Sequence, residues 1–200
     1  MTSRTLLPQI GIGPPERGDA ARNRRLLLDA AARLVAERGV DAVTMDAVAC
    51  AAGVGKGTVF RRFGSRSGLM QSLLDHTEKE MQQGFMFGPP PLGPGADPAD
   101  RLIAFGYARI AMVEVQGEVQ RAAENSPEVR FAVPARAVQI AHVMSLLRAA
   151  GVDGDLELLA CSLLAPLEAT LVLHQMRDLG ASIERLQAAW EDLVRRVTRC

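Results

Sequence analysis

The sequence is poor in several features that mark other classes of protein. Aromatic residues make up only 4% of its 200 residues, and its three cysteines, Cys50, Cys161 and Cys200, lie far apart. Cysteines at these spacings form neither a disulfide framework nor a CxxC metal motif, which indicates a reducing compartment and no metal site. No run of alternating β-branched residues predicts a strand.

Long apolar runs are also scarce. The longest, from Leu158 to Leu173, is interrupted by Pro166 and Glu168, and it is shorter than the roughly 20 residues that a bilayer-spanning helix needs. Residues 1–15 contain glycine and proline where a secretory signal would have its apolar segment. We therefore expect a cytoplasmic protein that does not contact a membrane.

The formal net charge is zero, but the charges are unevenly distributed. Residues 1–66 carry 11 basic and 6 acidic side chains, whereas residues 67–200 carry 12 basic and 17 acidic ones. A basic N-terminal third joined to an acidic remainder indicates that only the first part meets a polyanion.

Hydrophobic residues are abundant, at 48% of the chain, and they are mostly Ala, Leu, Val and Met. Ala, Leu and Met favour helices because they lose little conformational freedom there. Apolar residues recur at spacings of three and four, which predicts an all-α fold. The predicted helices cover about 20–38, 44–52, 56–63, 65–84, 98–120, 127–150, 155–178 and 182–198. Pro134 and Pro166 fall inside two of them and should kink or interrupt the helix.

Gly and Pro divide the chain into three parts. Residues 1–19 are predicted to form a flexible arm, because their Gly and Pro residues oppose regular structure. Residues 20–66 form an N-terminal domain of three helices, and residues 67–200 form a C-terminal helical domain. A loop over 85–97 contains the Gly- and Pro-rich segment Gly88 to Gly95, which no helix or strand can cross.

The two short helices after Thr44 have the features of a helix-turn-helix motif. Thr44 is an expected N-cap, Gly53 permits the tight turn, and Val59 and Phe63 anchor the second helix on its inner side. The outer side of that helix is small or basic, which suits the major groove of DNA. Candidate DNA contacts from this pattern are Lys56, Gly57, Thr58, Arg61, Arg62 and Arg66, the three arginines as partners of phosphates. Cys50 in the first short helix is expected to pack inside.

Over about residues 20–70 the chain resembles the DNA-binding domain of the tetracycline-repressor (TetR) family of bacterial regulators. The resemblance is carried by the pattern T-x-x-x-V-A-x-x-A-G-V from Thr44, followed by G-T-V-F-x-R-F-x-S-R-x-x-L from Gly57. It implies that six residues lie at the DNA interface: Thr44, Lys56, Thr58, Phe60, Arg62 and Arg66. Phe60 departs from the tyrosine usual in the family, so a phenol hydroxyl for phosphate is lost.

Three arginines at the start of the first helix, Arg22, Arg24 and Arg25, have two open interpretations. In the first, they contact the DNA backbone or reach into the adjacent minor groove. In the second, they form a solvated helix start.

The resemblance also implies that residues 67–200 bind a ligand and form a homodimer. A small apolar effector is expected to bind between the C-terminal helices, and the fourth helix, 65–84, is expected to act as the hinge. Candidate lining residues are Phe105, Tyr107, Met112, Phe131, His142, Met144, Leu147, Leu163, Leu167 and His174, although each of them, taken singly, is more simply explained as an ordinary core residue. The last two helices are the expected dimer interface, and Trp190 belongs either to that interface or to the core of one subunit.

These observations predict a repressor that an effector releases from a pseudo-palindromic operator. The alternative is a helix-turn-helix protein without a small ligand, acting constitutively or under the control of a protein partner. An enzyme is not expected, because no nucleophile–base pair, Glu-x-x-His set or GxSxG motif is present. We expect no cofactor.

Overall fold

The computed structural model describes residues 18–123 and 134–199, and within these ranges the chain is helical and contains no strand. The predicted all-α fold is therefore confirmed. The helices are α1 (Gly18–Arg38), α2 (Met45–Ala51), α3 (Lys56–Phe63), α4 (Arg66–Phe87), α5 (Pro98–Ala123), α6 (Pro134–Ala149), α7 (Leu156–Leu164), α8 (Ala169–Arg177) and α9 (Ile183–Thr198).

Helices α1 to α3 and the first half of α4 surround the N-terminal core. Five of its members are completely buried: Leu28, Val43, Val48, Val59 and Leu69. Caps determine where the helices begin, because Thr44 Oγ1 accepts the backbone N–H of Ala47 at 3.0 Å and Ser65 Oγ accepts that of Gly68 at 3.1 Å. Such bonds satisfy N–H groups that the first helical turn leaves unpaired. Cys50 is exposed, so its expected burial was wrong: it lies on the outer side of α2.

The helix boundaries follow the periodicity closely, with differences at the ends. Helix α1 is described from Gly18, two residues before the predicted start at Ala20, and α4 continues to Phe87 before Gly88 ends it. Residues 1–17 of the predicted arm lie outside the described residues. So does the predicted start of a helix at 127, and α6 is described from Pro134 onwards.

The second half of α4 packs with α5, α6, α7 and α9 around a larger core. Its centre includes Phe85, Phe105, Leu147, Leu164 and Val194. Helix α8 packs on α5 through a smaller cluster that contains Val113, Val172 and Leu173. Helix α4 thus contributes to both cores, which makes it the structural link between the two parts of the chain.

Pro166 breaks the most apolar segment of the chain. Leu156–Arg177 is 22 residues long, and an 18-residue window within it has a mean hydropathy of 1.8, which by length and composition would suffice to cross a membrane. Instead it forms α7, a short 3-10 helix at Ala165–Leu167 and α8, because the proline cannot continue the α-helix. Each of the two α-helices has nine residues and is therefore about 14 Å long, less than half the bilayer core.

Trp190 lies in the core of a single subunit, so the structure decides between its two sequence interpretations. The residue is 3% exposed, and its Nε1–H lies 3.2 Å from the carbonyl oxygens of both Leu102 and Ile103. The indole lies directly over Gly106 of α5, where an added Cβ would be 2.0 Å from Nε1. The missing side chain at Gly106 is what lets α9 approach α5 this closely.

We predict that Gly106→Ala lowers the free energy of unfolding by about 1–3 kcal/mol, the usual cost of overpacking a core. The added methyl group would displace the Trp190 ring and weaken its bonds to α5. Urea denaturation followed by circular dichroism measures the change. Gly18→Ala is the control, because an added Cβ there has no neighbour within 4 Å; equal stability of the two variants would contradict the prediction.

Candidate nucleic-acid interface and effector site

Helix α3 presents two different faces. Its inner residues Val59 and Phe63 are 0% and 8% exposed and hold the helix on the N-terminal core. Its outer residues Lys56, Gly57, Phe60 and Arg61 are exposed, and Thr58 is half-buried. Gly55, the N-cap, offers no side-chain oxygen to the first turn. Its carbonyl accepts the Thr58 N–H at 2.9 Å, while the N–H groups that precede Thr58 in the turn are of the kind that suits a phosphate.

The exposed cations of α3 make only weak contacts within the chain. Lys56 Nζ lies 2.7 Å from Asp46 Oδ2, and both side chains are more than half exposed. The same ammonium is 5.7 Å from the centre of the Phe60 ring. A solvent-exposed pair of this kind contributes about 0–1 kcal/mol. Lys56 can therefore exchange Asp46 for a phosphate at little cost, which keeps it a candidate DNA contact.

Arg62 and Arg66 make contacts with backbone carbonyls. The Arg62 guanidinium donates to the carbonyl of Ala20 in α1. Arg66 Nε donates to the carbonyl of Val43 at 2.9 Å, and its Nη2 donates to that of Val40 at 2.8 Å. These bonds fasten α3 and α4 to α1 and to the turn before α2. The sequence pattern had indicated phosphate contacts for both residues and had missed this structural role.

The arginines at the start of α1 face a groove beside α4. Arg24 and Arg25 line this groove, which has a volume of about 440 Å³. Arg25 Nη2 lies 3.5 Å from Glu80 Oε1 of α4, and Arg22 is exposed. Both earlier interpretations, DNA contact and solvated helix start, remain predictions.

The candidate effector-binding residues occupy three kinds of environment. Phe105, Leu147, Leu163, Leu167 and His142 are at most 3% exposed, whereas Tyr107, Met112 and Met144 are half-buried. Phe131 lies outside the described residues. His174 does not join the group: its side chain is 53% exposed, and its Nδ1 lies 2.6 Å from Asp178 Oδ2 on the surface of α8.

Tyr107 lies where α5 meets α9. Its hydroxyl donates to Glu191 Oε2 at 2.6 Å, and this bond to a carboxylate raises the pKa of Tyr107. The residue therefore helps to join two helices of the C-terminal core.

His142 is the most unusual side chain of the C-terminal core. Its ring stacks on Phe85 with centroids 4.1 Å apart and lies 5.5 Å from Phe105. Its Nε2 is buried and has no hydrogen-bond partner. Burial, with a smaller contribution from the charge of Arg101, lowers the pKa of His142 to about 4, so the imidazole is neutral near pH 7. A buried nitrogen without a partner is costly, and a ligand atom could satisfy it.

A second group of polar side chains joins α4, α5 and α6 inside the fold. The Glu78 carboxylate accepts a bond from Arg109 Nη1 at 2.6 Å and another from Gln139 Nε2 at 3.0 Å. Arg109 Nε and Arg101 Nε are buried without partners, although Arg101 Nη2 donates to the carbonyl of Phe85 at 3.0 Å. The sequence interpretation missed these residues. The sequence does contain a signal for them. Arg109 follows Phe105 by four residues, so a charged side chain occupies a core position of the apolar period.

Comparisons with known proteins agree with this geometry. Residues 27–73 match the family model described as bacterial regulatory proteins, tetR family, which confirms the family resemblance. No curated protein matches the chain significantly.

Solved structures share the fold at low identity. A putative TetR-family transcriptional regulator from Rhodococcus sp. is 21% identical with a TM-score of 0.64, over 90% of this chain and 100% of that one. A putative transcriptional regulator from Saccharomonospora viridis in complex with choline is 21% identical with a TM-score of 0.65, over 87% and 96%. The fatty acid degradation regulator FadR from Bacillus halodurans is 18% identical with a TM-score of 0.62, over 90% and 96%.

We predict that Arg66→Gln lowers the free energy of unfolding by about 1–2 kcal/mol, because two carbonyl bonds across the N-terminal domain are lost. Arg61→Gln is the matched control, since the Arg61 guanidinium lies 3.4 Å from Thr58 of the same helix; its effect should stay within about 0.5 kcal/mol. Urea denaturation distinguishes the two variants. Equal stabilities would show that the Arg66 bonds contribute nothing.

The depressed pKa of His142 predicts a loss of stability in acid. Between pH 6.5 and about 4, His142 is protonated in the unfolded chain but neutral in the folded chain. The free energy of unfolding should therefore fall as pH drops through this window, by as much as about 3 kcal/mol. In His142→Phe, which keeps the stacking on Phe85, that part of the decline should vanish. Unfolding curves at several pH values measure it, and an unchanged slope in the variant would refute it.

Proposed function

We propose that this protein is a homodimeric transcriptional repressor of the cytoplasm, because residues 27–73 match the family model of bacterial regulatory proteins of the tetR family. In this proposal a small molecule releases it from a pseudo-palindromic operator. The observation that carries the proposal is the outer face of α3. This face combines small and basic residues on a helix whose opposite side is locked into the core.

DNA recognition is assigned to α3 as the helix that enters the major groove. Lys56 and Arg61 supply exposed positive charge, while Gly57 lets the backbone approach the DNA closely. Phe60, 42% exposed, offers apolar contact to sugar or to a thymine methyl group. Arg62 and Arg66 act mainly through the backbone carbonyls that they bind, and so hold α3 in place.

Dimerisation is assigned to the surface formed by α7 and α8, with α9 beside them. Leu158 of α7 is 66% exposed and Leu171 of α8 is 40% exposed. A second copy that covered these two leucines would remove their apolar surface from water. Two subunits related by a two-fold axis would place their α3 helices about 34–36 Å apart, one turn of DNA.

The effector is assigned to the region around His142, Phe85 and Phe105. The aromatic rings provide an apolar wall, and the unpartnered Nε2 of His142 provides one polar contact. An effector with an apolar body and one hydrogen-bonding group would fit better than a purely apolar one. The regulators similar in fold include one in complex with choline and a multidrug binding protein complexed with imidazole, which supports a small effector.

Helix α4 is assigned as the element that transmits effector binding. Its residues Leu69 and Leu73 lie in the N-terminal core, and Met81 and Phe85 lie in the C-terminal core. An effector that displaces Phe85 moves the same rigid helix that positions the DNA-binding domain. The effector must bind the DNA-incompetent state more tightly, since equal affinity for both states shifts nothing.

We predict that the protein shifts DNA from its own upstream intergenic region in a gel assay, with an affinity that falls steeply as salt rises. Lys56→Ala and Arg61→Gln should each weaken binding. Each should also reduce the slope of log affinity against log salt by about 1, which is the effect of losing one phosphate contact. Arg185→Gln, an exposed arginine on α9, is the control and should bind like the wild type. Salt-independent or absent binding to every candidate operator, by a folded dimer, would contradict the proposal.

Two further measurements separate the proposal from a DNA-binding protein without an effector. Light scattering determines whether the chain is a dimer. Addition of choline, imidazole and fatty acids to the protein–DNA complex tests release, with His142→Phe as the variant that should lose it. An operator affinity unchanged by every ligand that binds the protein would favour control by a protein partner or constitutive binding.

A further inference from the structure

Three metal-binding side chains from two helices converge beside the groove between α1 and α4. They are Asp29 of α1 with His76 and Glu80 of α4, and one donor atom from each lies within 4.8 Å of the others. His76 Nε2 is 3.0 Å from Asp29 Oδ1 and 3.5 Å from Glu80 Oε1. Glu80 follows His76 by four residues, so both occupy one face of α4, while Asp29 reaches them from the neighbouring helix.

We propose that these three residues bind a divalent transition-metal ion, with Zn²⁺ as the preferred occupant. One imidazole nitrogen and two carboxylate oxygens are a donor set that Zn²⁺ accepts, with water as the fourth ligand of a tetrahedron. The ion would replace the hydrogen bond between His76 and Asp29. Mg²⁺ is a poor alternative, because it prefers oxygen ligands in an octahedral arrangement.

The three side chains are buried enough to be held in place by packing and exposed enough for an ion to reach them from solvent. The His76 side chain is only 12% exposed, so packing between the helices fixes its ring. Asp29 and Glu80 are 37% and 49% exposed and can adjust to an arriving ion. The groove of about 440 Å³ is lined by His76 and Glu80. It provides a path from solvent and room for the coordinated water.

Nearby positive charges oppose the ion but do not block the site. Arg24, Arg25 and Lys79 line the same groove, and Arg25 Nη2 lies 3.5 Å from Glu80 Oε1. The side chains of that pair are 69% and 49% exposed, so breaking it costs at most about 1 kcal/mol.

A bound ion would connect the DNA-binding domain to α4. Asp29 belongs to the helix that packs under the helix-turn-helix, and His76 lies midway along α4. Any ligand that binds only the folded arrangement stabilises it, so Zn²⁺ should raise the thermal unfolding temperature. A change in operator affinity would follow only if the proposed function also holds, because only then does the angle between α1 and α4 bear on DNA binding.

The test uses the full-length protein with its purification tag removed and its metals stripped by chelator. Isothermal titration with ZnCl₂ should show one ion per chain, and Asp29→Asn and His76→Ala should each weaken binding at least tenfold. The control is His174→Ala: His174 and Asp178 are also a histidine–carboxylate pair four residues apart, and the part of the chain that the structure describes adds no third donor there. This control should bind Zn²⁺ like the wild type.

Two readouts keep the test decisive if a variant folds poorly. Co²⁺ should give visible absorption bands in the wild type that are absent in Asp29→Asn, a conservative change at a partly exposed position. Thermal unfolding with and without Zn²⁺ should show stabilisation of the wild type and none for folded Asp29→Asn. Binding that survives in both Asp29→Asn and His76→Ala, or that His174→Ala abolishes, would overturn the proposal and leave the cluster as a hydrogen-bonded contact between helices. Gel shifts without metal test the proposed function separately.

Discussion

Helix α4 is the constraint on which the two halves of the molecule depend. Its 22 residues run without a break from Arg66 to Phe87, a length of about 33 Å. Leu69 and Leu73 at one end are buried in the N-terminal core, and Met81 and Phe85 at the other end are buried in the C-terminal core. Because both ends are fixed by close packing, neither domain can turn relative to the other without bending this helix or repacking a core.

Polar contacts along α4 make this link specific. Between its two apolar ends, the Glu78 carboxylate binds Arg109 of α5 and Gln139 of α6, and His76 meets Asp29 of α1. The Glu78 side chain is only 21% exposed, and a carboxylate in such a position needs partners that satisfy it, so its two bonds tie three helices to one relative position. One carboxylate network therefore faces the proposed effector region and another faces the DNA-binding domain, on the same rigid element.

Local sequence information was sufficient for the helices and for the DNA-binding motif. Capping residues such as Thr44, Ser65 and Ser182 begin helices where the apolar period starts, and Pro166 breaks the helix that contains it. These signals act over one or two turns of chain, which explains why the boundaries agree within a few residues. The inner and outer faces of α3 followed from the same period, since Val59 and Phe63 are four residues apart.

The sequence by itself therefore determined the all-α fold, the helix-turn-helix and its exposed basic face. The tertiary structure alone decided what long side chains and buried polar groups contact. It placed Trp190 against Gly106, 84 positions earlier in the chain, and turned Arg66 onto carbonyls of another element. It also left His142 buried with an unpartnered nitrogen, His174 on the surface, and Asp29 beside His76. Such contacts depend on the distances and angles at which helices pack, and no local pattern encodes these for residues far apart in sequence.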